Sequence, residues 1–238
     1  MGIEFGVIRG IVLDAVGTLI DPRPSVAAAY AEAAQRQGVV LDRTEVRNRF
    51  RRHFGDDEVD DLRGPLATDE AVERLRWRRI VLGVLPEVAD PGLAFDQLWE
   101  HFGRPEAWRA FDDVVPALRR LEAAGLPVRV ASNFDGRLRG VLRGLEGLAG
   151  LAEGAVISSE VGRRKPHPDF YLAACQRMGL PPGRVLCVGD DPENDYRGPG
   201  RAGLPALLVD RDGLALADDL PRLPGLLALA ERIEEVAR

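Results

Sequence analysis

Four short stretches hold most of the residues able to do chemistry. In Ile11-Val12-Leu13-Asp14-Ala15-Val16-Gly17-Thr18-Leu19-Ile20, an apolar run stops at a carboxylate, then turns on a small residue, a glycine and a hydroxyl. Such a run bounded by turn residues reads as a buried strand. In an open parallel sheet, ligands sit beyond the carboxyl ends of the strands, which puts Asp14 at the mouth of a site. An aspartate there can act as a nucleophile and form an acyl-phosphate or an ester. The plainer alternative is an ordinary strand-to-turn exit.

Ser132-Asn133-Phe134-Asp135 follows a second apolar run, Val128–Ala131. A hydroxyl and a backbone amide at that point can hold a phosphoryl oxygen, helped by the positive end of the next helix. They can equally be a helix cap. The third stretch, Gly162-Arg163-Arg164-Lys165-Pro166, holds the only lysine in a chain with 31 arginines. Where lysine persists in such a chain, a compact ammonium is wanted in place of a planar guanidinium. At a strand mouth it can neutralise a nucleophilic carboxylate and phosphoryl oxygens during attack; the alternative is a basic loop. The fourth, Gly189-Asp190-Asp191-Pro192-Glu193-Asn194-Asp195, concentrates oxygen donors just past another buried strand. That suits a hard cation such as Mg²⁺, which keeps several waters and needs only one or two carboxylates plus substrate phosphate. Asp191 and Glu193 also fit an acidic turn capping the next helix.

The elements that must position these groups alternate. Strands read over the apolar run that stops at Asp14 and at 128–131, 155–158, 185–188 and 206–209, with helices at 114–124, 136–148, 170–178 and 194–201. Residues 210–238 read as polar turns ending in a helix near 226–236. This rhythm predicts an α/β fold, a doubly wound and mainly parallel sheet covered by helices on both faces. Between the first strand and the rest lie four helical segments, 26–37, 43–54, 68–85 and 93–102, with Ser25 as a cap for the first. They read as an inserted helical cap domain over 21–105, leaving 1–20 and 106–238 as the core domain; Gly103-Arg104-Pro105 is the return hinge.

Apolar content of 45%, charged content of 29% and a formal charge of −6 over 238 residues are those of a globular chain, and argue against nucleic acid as a general partner. No apolar run approaches a membrane span and Glu4 and Arg9 interrupt the N-terminus, so neither a membrane nor a signal peptide is expected. Cys175 and Cys187 lack metal-type spacing and read as buried, reduced thiols of a cytoplasmic protein. The basic segment Arg43–His53 reads as a solvated face paired with Asp56, Asp57 and Glu58, and Trp77, Trp99 and Trp108 as core or hinge packing.

Taken together, Asp14-x-x-x-Thr18, Ser132-Asn133, Lys165-Pro166 and Gly189-Asp190-x-x-x-Asn194-Asp195, in that order and each at a strand end, resemble the motif set of the haloacid dehalogenase (HAD) superfamily, and most closely its branch that includes haloacid dehalogenase-like domain-containing protein 3. The resemblance implies roles. Asp14 is the nucleophile, and Thr18 and Ser132, with backbone amides near Gly17 and Asn133, bind the phosphoryl group. Lys165 orients Asp14 and offsets charge. Mg²⁺ is held by Asp14, by the backbone carbonyl of Val16 and by Asp190, while Asp195 serves it through water or by positioning Lys165.

One position departs from the family pattern: Val16 stands where most HAD phosphatases carry a second aspartate that moves a proton. Such help is worth about 10²–10⁴-fold. Three readings follow: a phosphatase with another proton source or a good leaving group; a 2-haloacid dehalogenase, whose halide needs no proton; or a degenerate member that binds without efficient turnover. Asp190 speaks against the second, because dehalogenases use no metal. The expectation is a Mg²⁺-dependent phosphatase acting on a small phosphorylated metabolite through an aspartyl-phosphate.

Overall fold

Gly10-Ile11-Val12-Leu13 offers no polar side chain, and all four residues are buried at the centre of the molecule. A strand buried on both faces needs a parallel sheet with helices on either side. The computed structural model describes residues 3–211, 213 and 220–237. In chain order it contains β1 (Gly10–Leu13), β2 (Ile20–Pro22), α1 (Val26–Gln35), α2 (Arg43–Arg63), α3 (Glu70–Val84), α4 (Pro91–Phe102), β3 (Trp108–Ala110), α5 (Val114–Ala123) and β4 (Val128–Ser132). There follow α6 (Arg137–Gly144), β5 (Val156–Ile157), α7 (Ser158–Val161), α8 (Pro168–Met178), β6 (Val185–Gly189), α9 (Gly198–Arg201), β7 (Ala206–Val209), β8 (Arg222–Leu223) and α10 (Leu226–Ala237).

Six strands form one parallel sheet in the order β5-β4-β1-β6-β7-β8. The chain runs outward from β1 to β4 and β5, then crosses back to β6, β7 and β8. The winding therefore reverses at β1, where an open α/β sheet forms its ligand crevice. Side chains alternate across the sheet. Ile11 and Leu13 join α5, α6 and α10 through Leu121, Leu138 and Leu229 on one face. Val12 joins Phe170, Ala174 and Cys187 on the other. Cys175 and Cys187 are buried and unpaired, as expected. No helix of the described residues is long and apolar enough to cross a membrane.

Helices α1–α4 have their own core, built on Tyr30, Val46, Ile80, Val81 and Phe95. Ser25, Asp42, Asp69 and Asp90 each accept backbone N–H groups at the start of one of these helices. The chain leaves and re-enters the sheet through antiparallel β2 and β3, which pair Ile20 with Ala110 and Pro22 with Trp108. The sequence shows a hinge at 103–105 but not this two-stranded link.

The structure departs from the sequence reading in a few places. Helix α2 runs on to Arg63 where the sequence suggests an end near Phe54, because the Gly55-Asp56-Asp57 segment is held by its partners. Asp57 pairs with Arg76 and Arg79 of α3, so it does not pair with the basic segment as expected. Arg43, Arg47, Arg51 and Arg52 do face solvent, whereas Arg49 pairs with Glu45 and Glu87. The helix expected at 194–201 is a π-helical turn over Pro192–Arg197 followed by α9. The sheet gains the short strand β8, within a stretch read as turns and partly outside the described residues.

Candidate active site

Asp14, Ser132 and Asp190 lie at the carboxyl ends of β1, β4 and β6, whereas Lys165 does not directly follow a strand as expected, because α7 and a turn come between it and β5. Asp14 follows β1, and its amide donates to Val188 O at 2.9 Å, so the backbone leaves the sheet in register with β6. The loop then closes on itself, with Gly17 N donating to Ile20 O at 2.9 Å. Gly17 adopts φ +88°, and a Cβ there would run into the Asp190 carboxylate. Glycine is needed here on both counts. Thr18 is fully buried and its Oγ1 donates to Asp190 Oδ1 at 3.1 Å. Val16 lines the cleft, open to it rather than packed in a core.

Lys165 is the hub. Its Nζ donates to Asp14 Oδ1 and to Asp195 Oδ1, both at 2.7 Å, and its side chain is sealed from solvent. Burial alone would lower the ammonium's pKa, but Asp14 and Asp195 outweigh it and hold Lys165 above the ordinary lysine range, so it stays charged. Asn133 fixes the lysine backbone: Lys165 N donates to Asn133 Oδ1 at 2.7 Å, and Asn133 Nδ2 donates to Lys165 O at 3.1 Å. The Asn133 side chain is thus occupied, leaving its amide for an anion. Ser132, at the end of β4, lines the cleft. The capping alternative belongs to Asp135, whose Oδ1 accepts from Arg137 N at 3.1 Å.

Asp190 follows β6 and Asp195 sits on the π-helical turn, a feature often found at functional sites. Asp191 is a cap, accepting from Glu193 N and Asn194 N. Asp14, Asp190 and Asp195 each offer a carboxylate oxygen within 4.8 Å of the others. Burial, then the Asp14 and Asp195 charges, push the Asp190 carboxyl above its ordinary range; burial does the same to Asp195, against the pull of Lys165. One ammonium among three carboxylates leaves a negative charge that a divalent cation would match. An all-oxygen donor set is the kind hard cations use, so the group can hold a metal ion.

Above this floor, helices α1–α4 close a cleft of about 360 Å³ against the sheet edge. Trp77, Trp99 and Trp108 line it while also packing against the apolar cores, so the expectation of packing alone was incomplete. Glu58 also lines it, half-buried, with no hydrogen bond or ion pair on its carboxylate among the described residues. Burial, and then Asp191, raise its pKa. The sequence reading counts Glu58 among the partners of the basic segment, and the structure places it in the cleft instead; the spacing of Phe50, Phe54 and Glu58 along one helical face is the available signal.

The helices are tied to the core by charge. Arg164, adjoining Lys165, is buried against Glu73 of α3 and pairs with Asp61 of α2 at 3.0 Å. Glu70 of α3 accepts from Gly136 N at 2.9 Å and from Ser159 Oγ at 2.5 Å.

Residues 8–203 match the haloacid dehalogenase-like hydrolase family. The chain belongs to that family. This hydrolase is 31% identical to haloacid dehalogenase-like hydrolase domain-containing protein 3 of Danio rerio over 221 residues, covering 90% of each chain. It is 28% identical to a phosphoglycolate phosphatase of Shigella boydii over 227 residues, covering 86% of the hydrolase and 82% of the relative. Among solved structures, a defluorinating L-2-haloacid dehalogenase has the same fold, with a TM-score of 0.75, 22% identity and 95% of each chain covered.

Proposed function

We propose that the hydrolase is a Mg²⁺-dependent phosphatase acting on a small phosphorylated metabolite, with 1–20 and 106–238 as the catalytic domain and 21–105 as a cap that selects substrate. The observation that carries this reading is the three-carboxylate group of Asp14, Asp190 and Asp195 around one ammonium. Displacing halide from a haloacid needs a nucleophile and no cation, which leaves Asp190 without a purpose. The phosphoglycolate phosphatase relative leans the same way.

Asp14, Asp190 and Asp195, with the Val16 carbonyl, would hold Mg²⁺. When bound, the ion supplies positive charge against the phosphoryl oxygens. The rest falls to the chain. Lys165 occupies Asp14 Oδ1, leaving Oδ2 to attack phosphorus. Ser132, with the amide of Asn133, receives the phosphoryl oxygens; the Gly17 amide and the Thr18 hydroxyl, expected to share this task, are held instead by Ile20 O and Asp190 Oδ1. A bond forms between Asp14 and phosphorus as the bond to the ester oxygen breaks. Glu58, protonated, hands its proton to that oxygen, the task Val16 lacks the group for. Water then attacks phosphorus, its proton returns to Glu58, and inorganic phosphate leaves Asp14 as a carboxylate.

The decisive experiment offers phosphomonoesters and 2-chloropropionate to the protein with and without Mg²⁺. Phosphate release that requires Mg²⁺ is the expected result. Chloride release independent of Mg²⁺ would replace the reading with a dehalogenase, and release of neither with a binding protein.

A further inference from the structure

The cleft walls differ sharply from its floor. All three tryptophans and five of the eight phenylalanines of the chain line it. Phe50 and Phe54 of α2 stack with ring centroids 5.6 Å apart, and Trp77 of α3 continues the row 5.9 Å from Phe54. Phe50, Phe54, Trp77 and Trp99 are only partly buried although they pack on the helical core. Rings left open towards a cleft above a polar floor mark a ligand groove.

Each guanidinium of the cleft already has an acidic partner. Arg76 pairs with Asp57 and Asp61, leaving its buried Nη2 without an acceptor. Arg164 pairs with Glu73 and Asp61. Arg137 binds Asp135 through Nε and Nη2 at 2.7 Å, donates to Trp99 O, and lies 3.3 Å above the Trp99 ring. Glu58 adds an unpaired acid. A second anionic group on a substrate would meet aromatic faces and a wall in which every guanidinium already has an acidic partner, and burying a charge unpaired is costly.

We propose that the cleft selects phosphate monoesters whose organic body is a flat aromatic group, and rejects those whose body carries a second negative charge such as a carboxylate. This rests on the phosphatase reading for its floor, but the preference belongs to the walls. The phosphoryl group sits among Asp14, Ser132 and Lys165, and the arene lies against Phe54 and Trp77. A volume of about 360 Å³ falls within the ~300–1,000 Å³ usual for sites that enclose small organic ligands.

The test compares esters with the same class of leaving oxygen, so that differences report the body and not the chemistry. Phosphate release from 2-naphthylethyl phosphate, ethyl phosphate and phosphoglycolate is measured with Mg²⁺. The naphthyl ester should show kcat/KM on the order of 100-fold above the other two, and the Phe54→Leu, Trp77→Leu double variant should narrow that ratio on the order of 10-fold. Equal or greater kcat/KM for phosphoglycolate or ethyl phosphate overturns the inference and leaves the phosphatase reading standing. Binding of a naphthylalkyl phosphonate and of phosphonoacetate, followed by calorimetry, decides the same point without turnover. Tighter binding of the naphthyl compound with no phosphate release from any ester supports the walls and sinks the phosphatase reading. Tighter or equal binding of phosphonoacetate overturns the inference whatever the turnover.

Discussion

Asn133 holds both backbone groups of Lys165, accepting from its N–H at 2.7 Å and donating to its carbonyl at 3.1 Å, across 32 positions of sequence. The ammonium that spans Asp14 and Asp195 is therefore aimed by a residue of another strand end. In Asn133→Ala both groups lose their partner, at a cost of about 1–3 kcal/mol each where water is excluded. Thermal melting should show the loss, and turnover should fall further than stability does. Asn133→Asp keeps an acceptor for Lys165 N and removes the donor to its carbonyl, so it should recover part of both. Unchanged turnover in a stable Asn133→Ala protein would separate the lysine from its support.

On the proposed mechanism Asp14 bears the covalent step. Beryllofluoride with Mg²⁺ should form a stable adduct on it, visible by fluorine NMR, and Asp14→Asn should abolish both adduct and turnover. A folded Asp14→Asn protein that still releases phosphate would rule out the aspartyl-phosphate.

The crowded carboxylates predict a pH dependence with a definite sign. Asp190 and Asp195 lie above the ordinary carboxyl range in the metal-free protein. A group that binds its proton more tightly when folded favours folding at low pH, and that contribution is lost as pH rises from its unfolded value of about 4 through its raised folded value. A Mg²⁺ ion held there would bind the ionised forms and displace those protons. The rise in melting temperature on adding Mg²⁺ should therefore grow from about pH 5 to about pH 9, and Asp190→Ala should flatten it. A Mg²⁺ effect independent of pH would move the ion elsewhere.

Glu58 and Val16 can be tested against each other. Glu58→Gln should lower kcat for an alkyl phosphate by about 10²–10⁴-fold and change little with p-nitrophenyl phosphate, whose phenolate leaves unaided. Val16 is 37% exposed, so a carboxylate there stays solvated. Val16→Asp should then restore alkyl phosphate turnover in the Glu58→Gln background. Equal losses on both esters in Glu58→Gln would remove Glu58 from proton transfer.

Much of this site was legible before any coordinates, for a physical reason. Asp14, Ser132 and Asp190 follow buried strands whose apolar runs mark where each strand ends, and a parallel sheet gathers those ends. The lone lysine stood out by composition. Asn133 could be placed but not given its task, because its partner is 32 positions away. The aromatic walls and Glu58 depend on how four amphipathic helices turn towards the sheet, which periodicity does not fix. The extension of α2 rests on buried pairs such as Asp57 with Arg76, for which Gly55-Asp56-Asp57 gives no local sign.

Arg164 and Lys165 share one peptide bond, yet they anchor to different bodies: Arg164 to the helices through Glu73 and Asp61, Lys165 to the sheet through Asp14 and Asp195. Lifting the helices would strand Arg164 or Glu73 without a partner, and breaking such a buried pair typically costs ~3–5 kcal/mol. The same motion would tug directly on the residue that holds Asp14. On the proposed mechanism, door and trigger would thus share one spindle: Asp14 would be fully braced only while the cleft is shut, and product release and loss of catalytic geometry would become a single event.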